Sequence, residues 1–215
     1  MAPRIESDTR RAGQAIILTD SHDSLCSRTD TKGDTRSAGK IVSIFEPSAE
    51  IIRKGKAAKP TEFGKLIKLQ EAENQIIVEY EVYTQRPHDA DLLIPAIEIH
   101  AAKLGRVPRL VAADAGFYSG QNQAMAKARG VKRVCIPNHG SKSASRKREQ
   151  KKRWFRNGQR WRTGCEGRIS VSKRRHGLQR CRYRGDDGMK RWVGLGVIAD
   201  NLINLGRFVA ARPAT

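Results

Sequence analysis

Acidic side chains are scarce in this chain. Against 42 Lys and Arg it carries 22 Asp and Glu, a formal net charge of +20 over 215 residues, with a pI near 10.4. That deficit makes a polyanion the default partner, because each phosphate neutralised by a Lys or Arg releases counterions. Long apolar runs are missing too: none approaches the roughly 18 residues that span a bilayer, and the start does not resemble a signal peptide. Nucleic acid rather than a membrane is the expected polyanion, and a cytoplasmic location follows. Paired cysteines are also absent. Cys26, Cys135, Cys165 and Cys181 are scattered without a CxxC spacing and the five His are equally dispersed, so neither a disulfide framework nor a structural zinc site is expected.

No aromatic residue occurs in the first 44 positions, which are rich in Ser, Thr, Asp, Arg and Gly. Such a composition buries too little surface to offset the entropy of ordering, so residues 1–40 are expected to be mostly disordered, with Ala15 to Leu18 at most an isolated strand. From Ile41 onward the pattern becomes regular. EFGKLIKLQE (62–71) and NQIIVEYEVYT (74–84) read as two strands of an antiparallel hairpin joined by a short polar link. Residues 90–104 read as a helix with Asp89 as N-cap and a bend at Pro95. Leu110 to Ala113 read as a strand that delivers Asp114 to its end; residues 120–129 form a helix closed by Gly130, and 131–137 a further strand. Strand, helix, strand is a right-handed crossover and gives a parallel pair. A basic loop is expected from Asn138 to about Lys147, then a long polar helix, a turn region over RCRYRGDDGMKRW, and a last helix from about Val193 to Val209 that buries Leu195, Ile198, Leu202, Leu205 and Phe208. The whole predicts one α/β domain over residues 41–210, a mixed sheet flanked by helices.

The charge is concentrated. Between Ser141 and Arg191 there are 19 basic residues and four acids, so Arg174, Arg175, Arg180 and Arg182 are expected to bind DNA. Within this stretch, RWRTGCEGRISVSKRR (160–175) puts Arg162, Glu166, Ser170 and Lys173 on one helical stripe. Asp114, at the C-terminal end of a parallel strand, is the second candidate acid, since open α/β sheets present ligands there. Both residues also have plainer readings, Asp114 as a turn cap and Glu166 as half of a surface ion pair. Trp154 and Trp161, set among the charges, are expected to pack against the sheet rather than stack on bases.

From Ile41 to Phe208 the chain resembles the C-terminal catalytic half of DDE-type bacterial insertion-sequence transposases, near the ISNCY-like group. The second-Asp motif of that family appears as VAADAGFYS. Its glutamate motif (Tyr, two residues, Arg, three residues, Glu, six residues, Lys) is filled by Arg162, Glu166 and Lys173, with Gln159 in the tyrosine place. The resemblance implies an RNase H-like core that binds two divalent metals, Mg²⁺ or Mn²⁺, and cuts and rejoins DNA phosphodiesters. Asp114 and Glu166 would be catalytic metal ligands, and Arg162 and Lys173 would hold the phosphate backbone. Double-stranded DNA, as element ends and target, is the implied partner, with a homodimer on DNA as the assembly and the bacterial nucleoid as the place. The family's first Asp lies on the first core strand, well upstream, and the first 40 residues do not resemble that segment. AIILTD offers only Asp20. The sequence therefore predicts a sheet incomplete at its N-terminal edge and a truncated, inactive copy; the alternative is a non-catalytic nucleic-acid-binding remnant.

Overall fold

The computed structural model describes residues 14–21, 50–53 and 61–211. Strand β1 (Gln14–Ser21) comes first, then β2 (Glu50–Arg53), β3 (Thr61–Gly64), β4 (Leu66–Glu71), β5 (Ile77–Val82), α1 (Leu93–Leu104), β6 (Leu110–Ala113), α2 (Gly120–Ala128), β7 (Arg133–Cys135), α3 (Ala144–Gln150), α4 (Arg153–Arg175) and α5 (Gly185–Ala210). The main sheet has the order β5-β4-β1-β6-β7, and β2 and β3 form a separate two-stranded sheet. β5, β4 and β1 run antiparallel to their neighbours in turn, whereas β1, β6 and β7 are parallel. The fold is thus mixed α/β.

β1 departs most from what its own sequence suggests. The segment expected to be an isolated strand is the middle strand of the sheet, paired with β4 on one side and β6 on the other, so the expected gap at the N-terminal edge is not there. Its apolar core is short and lies in a polar window, so composition averages it away; both of its partners lie more than 40 residues downstream, and pairing of that kind leaves no local signal. The expectation of disorder for residues 1–13 and 22–40 lies outside the described residues.

The hairpin formed as expected. β4 is buried at every position, Lys68 and Gln70 included, because helices cover both sides of the sheet. Lys68 Nζ donates to Glu81 Oε2 at 2.7 Å and Gln70 Nε2 to the Ala96 carbonyl of α1 at 3.0 Å. Gly64 breaks the run after Phe63, so residues 61–64 pair with β2 instead. Between β4 and β5, Asn74 and Gln75 take left-handed φ angles of 55° and 65°, and Asn204 Nδ2 donates to the Gln75 carbonyl at 3.1 Å. Asp89 caps no helix: it opens a 3-10 turn (Asp89–Leu92) without a capping bond. Pro95 stands in the first turn of α1, where no intrahelical N–H is required of it.

On one face of the sheet Val111, Ala113 and Val134 share a core cluster with Leu93 and Ile97 of α1 and Ala126 of α2. On the other face Leu110, Ala112 and Cys135 cluster with Phe155 and Cys165 of α4, and Ile67, Leu69 and Val82 with Met189, Val193 and Val197 of α5. Gly158 lets α4 approach this closely: a Cβ there would stand 2.7 Å from Cys135 Sγ. Trp154 and Trp161 pack, partly buried, against the α4 cluster.

α5 starts at Gly185, so most of the expected turn region is its first two turns. The helix also buries the opposite side from the one expected. Leu195, Ile198, Leu202 and Leu205 are exposed, while Val193, Val197, Asp200 and Asn204 face the protein. By length and composition α5 could cross a membrane, although polar residues interrupt its apolar ones and no continuous run marks it in the sequence. Asp200, bonded to Asn204 and paired with Arg168, and Asn201, bonded to both backbone groups of Ile77, pin it to the sheet and to α4.

Candidate active site

Asp114 follows the last residue of β6. Its Oδ1 accepts from the Ala115 N–H at 2.7 Å, capping a 3-10 turn over Ala115–Phe117, so the plainer role of a turn cap is met by one oxygen of a carboxylate that stays 63 % exposed. Glu166 projects from the middle of α4 with 52 % exposure. Arg162 joins them. Its Nη1 lies 2.6 Å from Glu166 Oε1, one helical turn on, and 3.9 Å from Asp114 Oδ1. Two oxygens that flank one nitrogen at those distances are at most about 6.5 Å apart. The sequence stripe is therefore real for Arg162 and Glu166, and the fold brings Asp114 to it from a different element. Two like charges so close repel unless a cation lies between them, and here the guanidinium fills that place.

Gln159, in the position where the resembling family has Tyr, fixes the arginine. Its Oε1 accepts from Arg162 Nε at 3.2 Å while its Nε2 donates to the Cys135 carbonyl of β7 at 2.8 Å. The amide thus fastens Arg162 to the end of the sheet. The Cys135 thiol, also beside Gln159, is no nucleophile at neutral pH: burial pushes it up to about 11.

Lys173, Arg174 and Arg175 sit in the last turn of α4 and Arg180 and Arg182 in the exposed connection to α5. Lys173 is seven residues beyond Glu166, roughly 10 Å along the axis, and lines a small separate hollow with Ser170, Arg174 and Gln179. These five basic residues do not share the cleft beside Asp114.

That cleft, about 840 Å³, lies at the C-terminal ends of β6 and β7. Its basic lining is Lys147 of α3, Lys151 of the α3–α4 connection and Arg156, Arg160 and Arg162 of α4, with Asp114 as its acid. α3 begins at Ala144, inside the stretch expected to be loop, and holds the cleft wall: Gln150 bonds both the N–H and the carbonyl of Asn138, and buried Arg146 donates to the Ile136 carbonyl. Apart from Arg162, these cations entered the sequence-based expectations only through the regional charge. A signal was present in the i,i+4 pair 156/160, which lies along one side of α4.

Among the described residues no three His, Cys, Asp or Glu side chains lie close enough together to hold a metal by themselves. Strand register adds a position to the two acids. Asp20 stands level with Ile67, Leu18 with Leu69 and Ile16 with Glu71 on β4, and Ile16 with Ala112 on β6. Ile67, Leu69 and Ala112 belong to the clusters under α4 and α5, and Glu71 pairs with Arg168 of α4. Paired positions share a face and alternate along a strand, so position 20 belongs to the face that carries α4, two residues beyond the level of Asp114.

Residues 120–206 match a family profile described as a transposase DDE domain. No curated protein matches the chain. The matched segment runs from the start of α2 through most of α5; it contains Gln159, Arg162 and Glu166, leaves Asp114 just outside, and supports a DDE-type transposase domain, a transposition-related function and DNA as partner.

Proposed function

We propose that this chain cuts and joins DNA phosphodiesters in transposition, on an RNase H-like core, with Asp20, Asp114 and Glu166 as its acidic triad. The observation that carries the reading is the meeting of Asp114 and Glu166 on one guanidinium at the strand ends, with position 20 in phase on the neighbouring strand. Magnesium or manganese suits these donors: both carboxylates are half-exposed and offer hard oxygens, and Asp114 lines a cleft with room for water and phosphate oxygens. When bound, such ions activate the attacking hydroxyl and stabilise the leaving oxygen. The chain's own residues do the rest. Arg162 keeps its anchor on Gln159 and turns its terminal nitrogens from the carboxylates to a phosphate oxygen. Lys147, Lys151, Arg156 and Arg160 neutralise the strand that enters the cleft, and Arg174, Arg175, Arg180 and Arg182 extend the basic track beyond Glu166.

Purified protein tested for plasmid nicking and strand joining with Mn²⁺ should be active, and Asp114→Ala, Glu166→Ala and Asp20→Ala should each lower the rate by about a thousandfold or more. The Mn²⁺-induced rise in the melting temperature should vanish in Asp114→Ala, a readout independent of turnover. Full activity in Glu166→Ala would remove the reading. Full activity in Asp20→Ala alone would return the first acid to a segment other than β1. Tight DNA binding with no metal-dependent cleavage in the unaltered chain would favour the binding-only alternative.

A further inference from the structure

We propose that a second pocket, on the far flank of α4 from Asp114, is a binding site for a free nucleoside monophosphate. It holds about 500 Å³, within the roughly 300–1,000 Å³ of small-molecule sites. The cleft beside Asp114 opens at the C-terminal ends of β6 and β7, whereas this pocket lies at their first residues, Leu110 and Arg133. α4 forms its other wall. Trp154, Asn157, Gly158 and Trp161 line it, and their spacing of three, one and three places them on one helix side. Seven residues apart, the two indoles are roughly 10 Å apart along the axis, and Gly158, which has no side chain, leaves the space between them open.

The lining reads one chemistry. Both indoles are only partly buried, so each keeps ring surface for a flat aromatic partner, and any base can stack on such a surface. Trp161 is hydrogen-bonded to the buried Glu71 carboxylate, which fixes its plane. The Arg133 guanidinium stands 5.6 Å over the Trp154 ring, and Arg153, in the first turn of α4, is the second cation. Among the described residues no Asp or Glu lines the pocket. Two cations without an acid call for a dianion. A terminal phosphate monoester carries a charge of about −1.5 to −2 at neutral pH, whereas a phosphodiester within a strand carries a single charge, so a free nucleotide matches the pocket better than an internal residue of DNA. A base within a duplex is stacked on both faces and paired along its edge, and cannot enter. The Asn157 amide, exposed at the rim, offers both donors and an acceptor to the edge of an unpaired base.

Calorimetric titration of the full chain with adenosine monophosphate should show saturable binding. Trp161→Leu should weaken it by about tenfold or more, and Trp161→Phe, which keeps a ring face, should recover most of that loss. Arg133→Gln and Arg153→Gln, both at exposed positions, should each weaken it by about tenfold with the melting temperature unchanged; these two variants decide if Trp161→Leu folds poorly. Inorganic phosphate and adenosine, each with half of the recognised features, should bind at least about tenfold more weakly than the nucleotide. Asp114→Ala should bind the nucleotide as the unaltered chain does, so this site and the catalytic reading fail separately. Four results would overturn the proposal: no binding at millimolar nucleotide, phosphate binding as tightly as the nucleotide, affinity indifferent to Trp161→Leu in a folded protein or to both arginine variants, or 5′-phosphorylated single-stranded DNA binding more tightly than the nucleotide, which would make the pocket part of the DNA track.

Discussion

Two arginines six residues apart on α4 each hold a pair of carboxylates; the arginines are equally buried, and the difference lies in the acids they hold. Arg162 lies between Asp114 and Glu166, which are 63 % and 52 % exposed. Arg168 lies between Glu71 and Asp200, which are 5 % and 4 % exposed, at 3.0 and 3.2 Å. The Arg168–Glu71 contact is an ion pair without a directed hydrogen bond, since Nε has no partner in hydrogen-bonding geometry. Around it His176 Nε2 stands 3.4 Å from Asp200, and Asn204 donates to the same carboxylate. In water the pairing contributes little, so Asp114 and Glu166 are free to exchange their arginine for another cation. In the interior both carboxylates have lost their hydration and cannot give up their partner without a large penalty. The same pairing chemistry therefore serves as an open site on one side of the helix and as a clamp on the other.

The strongest way to break that comparison is to remove each arginine. Arg168→Ala should destabilise the fold by about 3–5 kcal/mol, because two buried carboxylates then lack a counter-charge, whereas Arg162→Ala should change stability by less than about 1 kcal/mol. Urea unfolding of the two variants, followed by circular dichroism, checks this; equal losses would dissolve the distinction.

A second measurement sharpens the role of the exposed side. Replacing Lys147, Lys151, Arg156 and Arg160 by Gln should lower the salt slope of duplex binding by roughly 0.9 for each phosphate that is no longer neutralised. Replacing Arg174, Arg175, Arg180 and Arg182, which stand away from the cleft, should lower it less. Binding isotherms over a salt series compare the two sets, and a larger fall for the second would move the main DNA track to the far end of α4.

The smallest effect is a pH dependence confined to the buried side. Burial pushes the Glu71 carboxyl above its ordinary value of 4.5, against the pull of the Cys165 hydrogen bond and the Arg168 charge. Folded Glu71 thus holds its proton more tightly than the unfolded chain does. Its contribution to stability is fully present below pH 4.5 and is lost as pH rises through the folded value. Glu71→Gln should flatten the stability curve in that window. A slope unchanged by the substitution would mean that another group sets it.

The hairpin, the β6–α2–β7 crossover and the pairing of Arg162 with Glu166 were legible because each depends on neighbours a few residues to some tens of residues apart and on a strong period. The α5 face was not. Two apolar stripes run along that helix, and periodicity cannot say which one meets a sheet; the glycines decided it, since Gly194 and Gly196 lie against Tyr80 and Leu178, where an added Cβ would collide with the facing side chain. The burial of Lys68 and Gln70 is likewise invisible in the sequence, because their polar character signals solvent although a partner from β5 or α1 makes burial tolerable.

By itself the sequence determined a basic, mixed α/β chain, the helical stripe of Arg162 and Glu166, and Asp114 at a strand end. Only the tertiary structure decided that Asp114 reaches Arg162, that Gln159 ties this arginine to β7, that Glu71 and Asp200 share Arg168, and that β1 is central with position 20 on the α4 face. The physical reason is range. A helix sets the spacing of residues four apart through its own backbone bonds, whereas contacts across tens of residues exist only once buried surface has offset the entropy of closing the loops between them.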